Sequence, residues 1–277
     1  MRWSDETDHM PKSCYKHRAK TAGLRGSGRS DPATVIMTQE KPQGRPMTRE
    51  GKTMLGNGIS GIIFDLDGTL ADTSPDIAAA LNAALREAGQ TQLPVPDVIT
   101  MIGGGIPTLV ERAIARLEAS ESLQDVLVER MLHHYDRDYC VHSELMVGVV
   151  DCLDALRDRG LPMAICTNKD QVIARKIVTA LGIEPYVTVT VGRQPDIPKK
   201  PDPAMLKLAA EQIGCAVGSI VMVGDSDVDA ATARAAGAPS VIVRNGYFSG
   251  DYEAIGADFL IEDMTSFMPL MPKPAGA

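Results

Sequence analysis

Four short polar segments, far apart in the chain, each follow a strand-like apolar run or the loop just after one. They are Asp65-Leu66-Asp67-Gly68-Thr69, Thr167-Asn168, Lys200-Pro201 and Gly224-Asp225-Ser226-Asp227-Val228-Asp229. In an open parallel sheet, strand ends meet along one edge, and ligands bind there. A chain with this repeated pattern is constrained to an α/β fold that brings the four segments together. The set offers carboxylates, a hydroxyl, an ammonium and a helix start, which suit phosphate and a divalent cation.

The pattern between these segments supports that topology. Ile59–Phe64 reads as a buried strand ending at Asp65. Ser74-Pro75-Asp76 then reads as a helix start, with Ser74 as N-cap, Pro75 at the first helical position and an acid in the first turn. Ile77, Leu81, Leu85 and Ala88 recur at helical spacing up to Gly89, and Gly103-Gly104-Gly105 opens a second helix bearing Leu109, Ala113, Ile114 and Leu117. A third helix carries Val126, Leu127 and Met131, so residues 74–146 read as all helical. After Gly148 the pattern becomes β-α alternation. Helices are expected over 150–159, 171–181, 203–213 and 227–236, and strands over 162–166, 187–191, 220–223 and 240–243. Such alternation predicts a Rossmann-like parallel sheet with helices on both faces and an all-α insertion after its first unit.

Hydrophobic residues make up 44% of the chain, enough for a sizeable core, but aromatics only 4%, so that core is aliphatic. Residues 1–60 hold 11 Lys+Arg against 6 Asp+Glu, whereas the remainder holds 17 against 30. The acidic remainder argues against a nucleic-acid surface. The basic Gly/Pro/Ser-rich start, residues 1–55, reads as a disordered extension. No apolar run is long enough to span a bilayer, and no apolar segment resembles a secretory signal. Five scattered cysteines suggest a reducing, cytoplasmic setting rather than a disulfide framework. No segment specifies an oligomeric state.

Asp65 and Asp67 are two residues apart, and Gly68 lets the chain turn to present both to one pocket. Two close carboxylates repel unless one is protonated or a cation neutralises them. One can therefore act as a nucleophile while the other carries a proton. Two solvated acids on a surface turn are the alternative, and the apolar run before them weighs against it. Thr167 with Asn168 suits a phosphate oxygen at a helix start, or is simply an N-cap. Asp225, Asp227 and Asp229 are not a calcium loop of EF-hand type, because its glycine and glutamate positions hold Ala230 and Ala236. Three acids also suit a helix N-terminus through its dipole alone. No histidine falls in a core motif, and no GxxxxGK[ST] phosphate loop is present.

In order, spacing and residue types, the four segments resemble those of the haloacid dehalogenase superfamily, from about Ile59 to about Met264. The resemblance implies an α/β core over 56–73 and 147–277, with 74–146 as a helical cap. It implies Asp65 as nucleophile, Asp67 as general acid and base, and Lys200 contacting both the nucleophile and the phosphoryl group. Thr167 and Asn168 would bind phosphate. Mg2+ would be held by Asp65, the backbone carbonyl of Asp67 and Asp225, with Asp229 and Thr69 behind them. A second carboxylate favours a phosphate ester over a haloacid, because an alkoxide needs a proton to leave. The stretch from Asp65 to Thr73, with Ile102-Gly103-Gly104-Gly105 and the Gly224–Asp229 run, is similar to phosphoglycolate phosphatases. Gly103, Gly104 and Gly105 would then bind a small phosphorylated metabolite, with loop N–H groups or Arg112 meeting its carboxylate. Met146-Val147-Gly148-Val149 departs from the aromatic-Pro-Gly pair that relatives often carry at the cap hinge. Other phosphate substrates, a phosphomutase and a receiver-type phospho-aspartate switch are the rivals. Thr69 argues against the phosphomutase, and chain length against the receiver.

Overall fold

The computed structural model describes residues 47–48 and 55–272. The strands are β1 (Met47–Thr48), β2 (Gly61–Phe64), β3 (Ala71–Asp72), β4 (Glu144–Leu145), β5 (Met163–Asp170), β6 (Val189–Arg193), β7 (Ile220–Gly224), β8 (Ser240–Val243) and β9 (Phe259–Ile261). The helices are α1 (Ser74–Glu87), α2 (Val95–Ile99), α3 (Ile106–Leu117), α4 (Gln124–Arg137), α5 (Val149–Asp158), α6 (Gln171–Ala180), α7 (Ala204–Gln212) and α8 (Asp227–Ala236).

The main sheet runs β1-β9-β8-β7-β2-β5-β6. All its pairings are parallel except β1 with β9. β2 therefore sits between β5 and β7, with Phe64 opposite both Ile165 and Val223. The chain winds from β2 towards β6, then returns to β7 and winds the other way. That reversal beside β2 is the topological switch point of an open α/β sheet.

Alternation along the strands sends successive side chains to opposite faces. Ile63, Ala164, Cys166 and Met222 pack in one buried cluster with Met205, Leu206 and Ala209 of α7 and Ala233 of α8. On the other face Phe64 meets Phe267, ring centroids 6.4 Å apart. Four helices, α1 to α4, separate β3 from β4, and those two strands pair antiparallel where the chain leaves and rejoins the sheet. This ribbon departs from the all-helical reading of 74–146; two residues are too few to show a strand period. Among the described residues no helix is long and apolar enough to cross a membrane.

Two helix starts differ from expectation. Thr73, not Ser74, is the N-cap of α1, and it makes no side-chain cap. Its hydroxyl donates to Asp67 instead, while the Tyr247 hydroxyl accepts from the N–H groups of Thr73 (2.7 Å) and Ser74 (2.9 Å). β5 runs past Thr167 to Asp170, whose carboxylate caps α6 by accepting from Val172 N and Ile173 N. Asn168 is therefore not a helix cap.

The extension expected over residues 1–55 lies outside the described residues, apart from Met47–Thr48 and Leu55. Met47–Thr48 is the edge strand β1, and Leu55 is buried with its N–H donating to Leu270 O at 2.7 Å. The ordered core thus begins earlier than composition suggests. Among the described residues, deleting residues 1–53 removes one two-residue edge strand, and the melting temperature is expected to fall by only a few degrees. A thermal melt of the truncated chain checks this, and a large drop would show that the segment belongs to the core.

Candidate active site

Asp65 leaves the end of β2 at the switch point, with its N–H donating to Val223 O at 2.8 Å. Its Oδ1 accepts from Leu66 N at 2.7 Å, and its Oδ2 lies 2.9 Å from Lys200 Nζ. Lys200 also reaches Asp229 Oδ1 at 2.7 Å, and its side chain is 1% exposed. Asn168 sets that lysine in place: its Oδ1 accepts from Lys200 N at 2.9 Å, and its Nδ2 donates to Lys200 O at 3.1 Å.

Asp225 follows β7. Its Oδ2 accepts from Tyr247 N at 2.6 Å, and its Oδ1 from Thr69 Oγ1 at 3.4 Å. Asp229, in the first turn of α8, closes a capping box with Ser226. Its Oδ2 accepts from both the N–H and the hydroxyl of Ser226. Gly68 turns the chain at φ +78°, and a Cβ there would collide with the Asp225 carboxylate. Only glycine both adopts that angle cheaply and leaves the space.

One carboxylate oxygen each from Asp65, Asp225 and Asp229 lies within 4.8 Å of the others. Of these three acids, Asp65 and Asp229 share the Lys200 ammonium. Burial pushes Asp65 up to about 6, against the lowering pull of Lys200. Burial, then Asp229 and Asp65, push Asp225 well above the usual carboxylate range. Burial alone would lower Lys200, but Asp229 and Asp65 outweigh it and hold the ammonium above the ordinary lysine range. The cluster is short of positive charge and rich in hard oxygen donors, which fits a divalent cation. Asp229 is the least available of the three, because it is fully buried and takes three donors, one from Lys200 and two from Ser226.

Asp67 stands apart from this cluster. Lys169 Nζ donates to its Oδ1 at 2.8 Å and Oδ2 at 3.0 Å, and Thr73 Oγ1 donates to Oδ1 at 2.5 Å. Two neighbouring acids are thus held by two different lysines. Lys169 was not expected at the site, but β5 continues past Thr167, and residues 167 and 169 both line the same cavity. Tyr247 was also unforeseen, and nothing in its loop sequence signals it.

A cavity of about 530 Å³ opens over these groups. Its sheet side includes Asp65, Asp67, Thr167, Lys200 and Asp225, and its helical side includes Gly103–Gly105, Leu109, Arg112 and Tyr135. The glycine loop is tied to the sheet side: Asn168 Nδ2 donates to Gly103 O at 3.0 Å, and Lys199 Nζ to Gly104 O at 3.0 Å. The Asn168 side-chain amide is therefore engaged in bracing, which leaves its backbone N–H for the phosphate role expected of this segment. Arg112 donates Nη1 to Met101 O and Ile102 O, so it too braces the loop. Asp227 lines the cavity without joining the acid cluster.

A parallel α/β sheet whose switch point carries a lysine-bridged acid cluster, roofed by helices, defines a class of enzymes that act on anionic substrates. Within that class, this chain belongs to the haloacid dehalogenase-like hydrolase family, whose sequence model matches residues 59–237. It is similar to a phosphoglycolate phosphatase of Rhodospirillum rubrum, 34% identical over 78% of this chain and 92% of that one. A phosphoglycolate phosphatase of Caulobacter vibrioides is 36% identical, over 74% and 87%. Among solved structures, a predicted phosphoglycolate phosphatase from Haemophilus somnus superposes with a TM-score of 0.72 at 29% identity, covering 76% of this chain and 97% of that one.

Proposed function

We propose that this enzyme is a Mg2+-dependent phosphatase that hydrolyses 2-phosphoglycolate to glycolate and phosphate through an aspartyl-phosphate on Asp65. The observation that carries the chemistry is the separation of two adjacent acids. Asp65 faces Lys200 and the acid cluster, while Asp67 is held two residues away by Lys169 and Thr73. The names of the relatives support the substrate.

An Asp65 oxygen attacks phosphorus, the bond from phosphorus to the leaving oxygen breaks, and Asp67 gives that oxygen its proton. Asp67 then takes a proton from water, which attacks phosphorus. The bond to Asp65 breaks and phosphate leaves. Lys200 offsets charge on the phosphoryl oxygens, and Thr167 with the Asn168 N–H donates to one of them. Mg2+ held by Asp65, the Asp67 carbonyl and Asp225 would, when bound, neutralise the phosphoryl group and the nucleophile. Thr69 orients Asp225, and Asp229 orients Lys200.

In this reading residues 74–146 form a cap over a core of 56–73 and 147–277, and Gly103–Gly105 close over a small substrate. Cys152 and Cys166 are buried free thiols, which supports a reducing cytoplasm. Phosphate release across a panel of small phosphate esters is the test. The highest kcat/KM is expected for 2-phosphoglycolate, with activity lost in chelator and restored by Mg2+. No preference within the panel would remove the substrate, and full activity in chelator would remove the metal.

A further inference from the structure

We propose that Lys169 and Tyr135 form the subsite that reads the substrate's carboxylate, an inference that rests on the phosphoglycolate reading. Three observations converge on it. Lys169 is 7% exposed, and its ammonium lies against Asp67, the acid that serves the leaving oxygen. The carboxylate of 2-phosphoglycolate is bonded to the carbon carrying that oxygen, so covalent geometry delivers it beside whatever flanks Asp67. The same ammonium stands 4.8 Å from the centre of the Tyr135 ring, and Tyr135 comes from α4 on the cavity's helical side. The Tyr135 hydroxyl is buried, and it is the one such side-chain oxygen among the described residues with no hydrogen-bond partner. A buried hydroxyl without a partner is costly, and a ligand group that completes it is favoured.

An ammonium has three donors, and two of those on Lys169 serve Asp67. Turning one of them from Asp67 to substrate lets a single planar carboxylate take one oxygen to Lys169 and the other to Tyr135. The other cations on the cavity wall are differently placed. Lys199 and Arg112 donate to loop carbonyls, Lys200 is bound between Asp65 and Asp229, and Arg193 lies beside Gly105. The pair joins one residue from the sheet side to one from the helical side, so a carboxylate would bridge them.

The test compares kcat/KM for 2-phosphoglycolate with that for ethyl phosphate, in which a methyl replaces the carboxylate. In Lys169→Met the preference for phosphoglycolate is expected to fall at least roughly thirtyfold, and in Tyr135→Phe roughly fivefold to tenfold. Lys169→Arg should keep most of the preference, and Arg193→Met should keep it too. Equal losses on both substrates in Lys169→Met and Tyr135→Phe would show that they serve only Asp67 and packing, and would overturn the subsite. Loss of the preference in Arg193→Met instead would move the subsite to that residue. A parent enzyme with no preference for phosphoglycolate would overturn both this inference and the substrate reading. Tyr135→Phe removes no hydrogen bond, so folding does not compromise it, and its melting temperature is the control.

Discussion

Asp65→Asn is expected to abolish phosphate release while leaving the protein folded. The asparagine has the same shape, but it offers one acceptor oxygen where Asp65 uses two, towards Leu66 N at 2.7 Å and Lys200 Nζ at 2.9 Å, so one of these contacts is lost. Lys200 keeps its 2.7 Å contact with Asp229. One of three mutually repelling buried acids becomes neutral, which offsets that loss, so the melting temperature should hold to within a few degrees. The reaction, however, has no substitute for its nucleophile. The amide is a poor attacking group, and in the proposed reaction Asp225 serves the cation and Asp229 serves Lys200. A loss of at least roughly four orders of magnitude in kcat is expected, the scale seen when an enzyme loses its covalent nucleophile. Phosphate release by the purified variant, with circular dichroism as the folding control, checks this. Substantial turnover would end the assignment of Asp65.

The location of the site was legible because residue types and strand ends coincide. An apolar run ending in Asp65, another ending near Thr167 and a third ending at Gly224 are strong signals, and the sheet order β7-β2-β5 brings them together. The limits of α8 and β8 were also legible. Ala-rich sequence after a capping box, closed by Gly237, leaves little choice for α8. Short elements were not legible. β3, β4 and β9 have two or three residues each, and α2 is a single turn among prolines. None is long enough to show a period, and tertiary pairing creates them. The second lysine stayed hidden for a related reason. A strand that stops near Thr167 turns Lys169 into a loop charge, whereas three more residues of strand aim it at Asp67. Tyr247 illustrates the remaining limit. It links Asp225 to the start of α1 through its N–H and its hydroxyl, a role fixed only by where its loop crosses the sheet edge.

Lys200→Met should differ from Asp65→Asn by harming stability and activity together. The ammonium is the shared partner of Asp65 and Asp229, at 2.9 and 2.7 Å, in a setting where all three groups are buried. Methionine fills similar volume but leaves two carboxylates without a countercharge, beside a third in Asp225. Breaking a buried pair from one side costs about 3–5 kcal/mol. For a folded domain of this size that corresponds to a fall in melting temperature of roughly 6–20 °C. The turnover rate should fall by roughly a hundredfold or more, because a preorganised positive charge at the phosphoryl group is lost. The acid cluster supplies an internal check. A divalent cation that binds only the folded state stabilises it by mass action, and without Lys200 the cluster has more uncompensated charge to offer. Added Mg2+ should therefore raise the melting temperature of Lys200→Met by more degrees than it raises that of the parent. Calorimetry of both proteins with and without Mg2+ measures the difference. An unchanged melting temperature in the variant would mean that the ion pairs do not hold this edge of the sheet. A Mg2+ response no larger than the parent's would mean that Asp65 and Asp225 do not form the cation site.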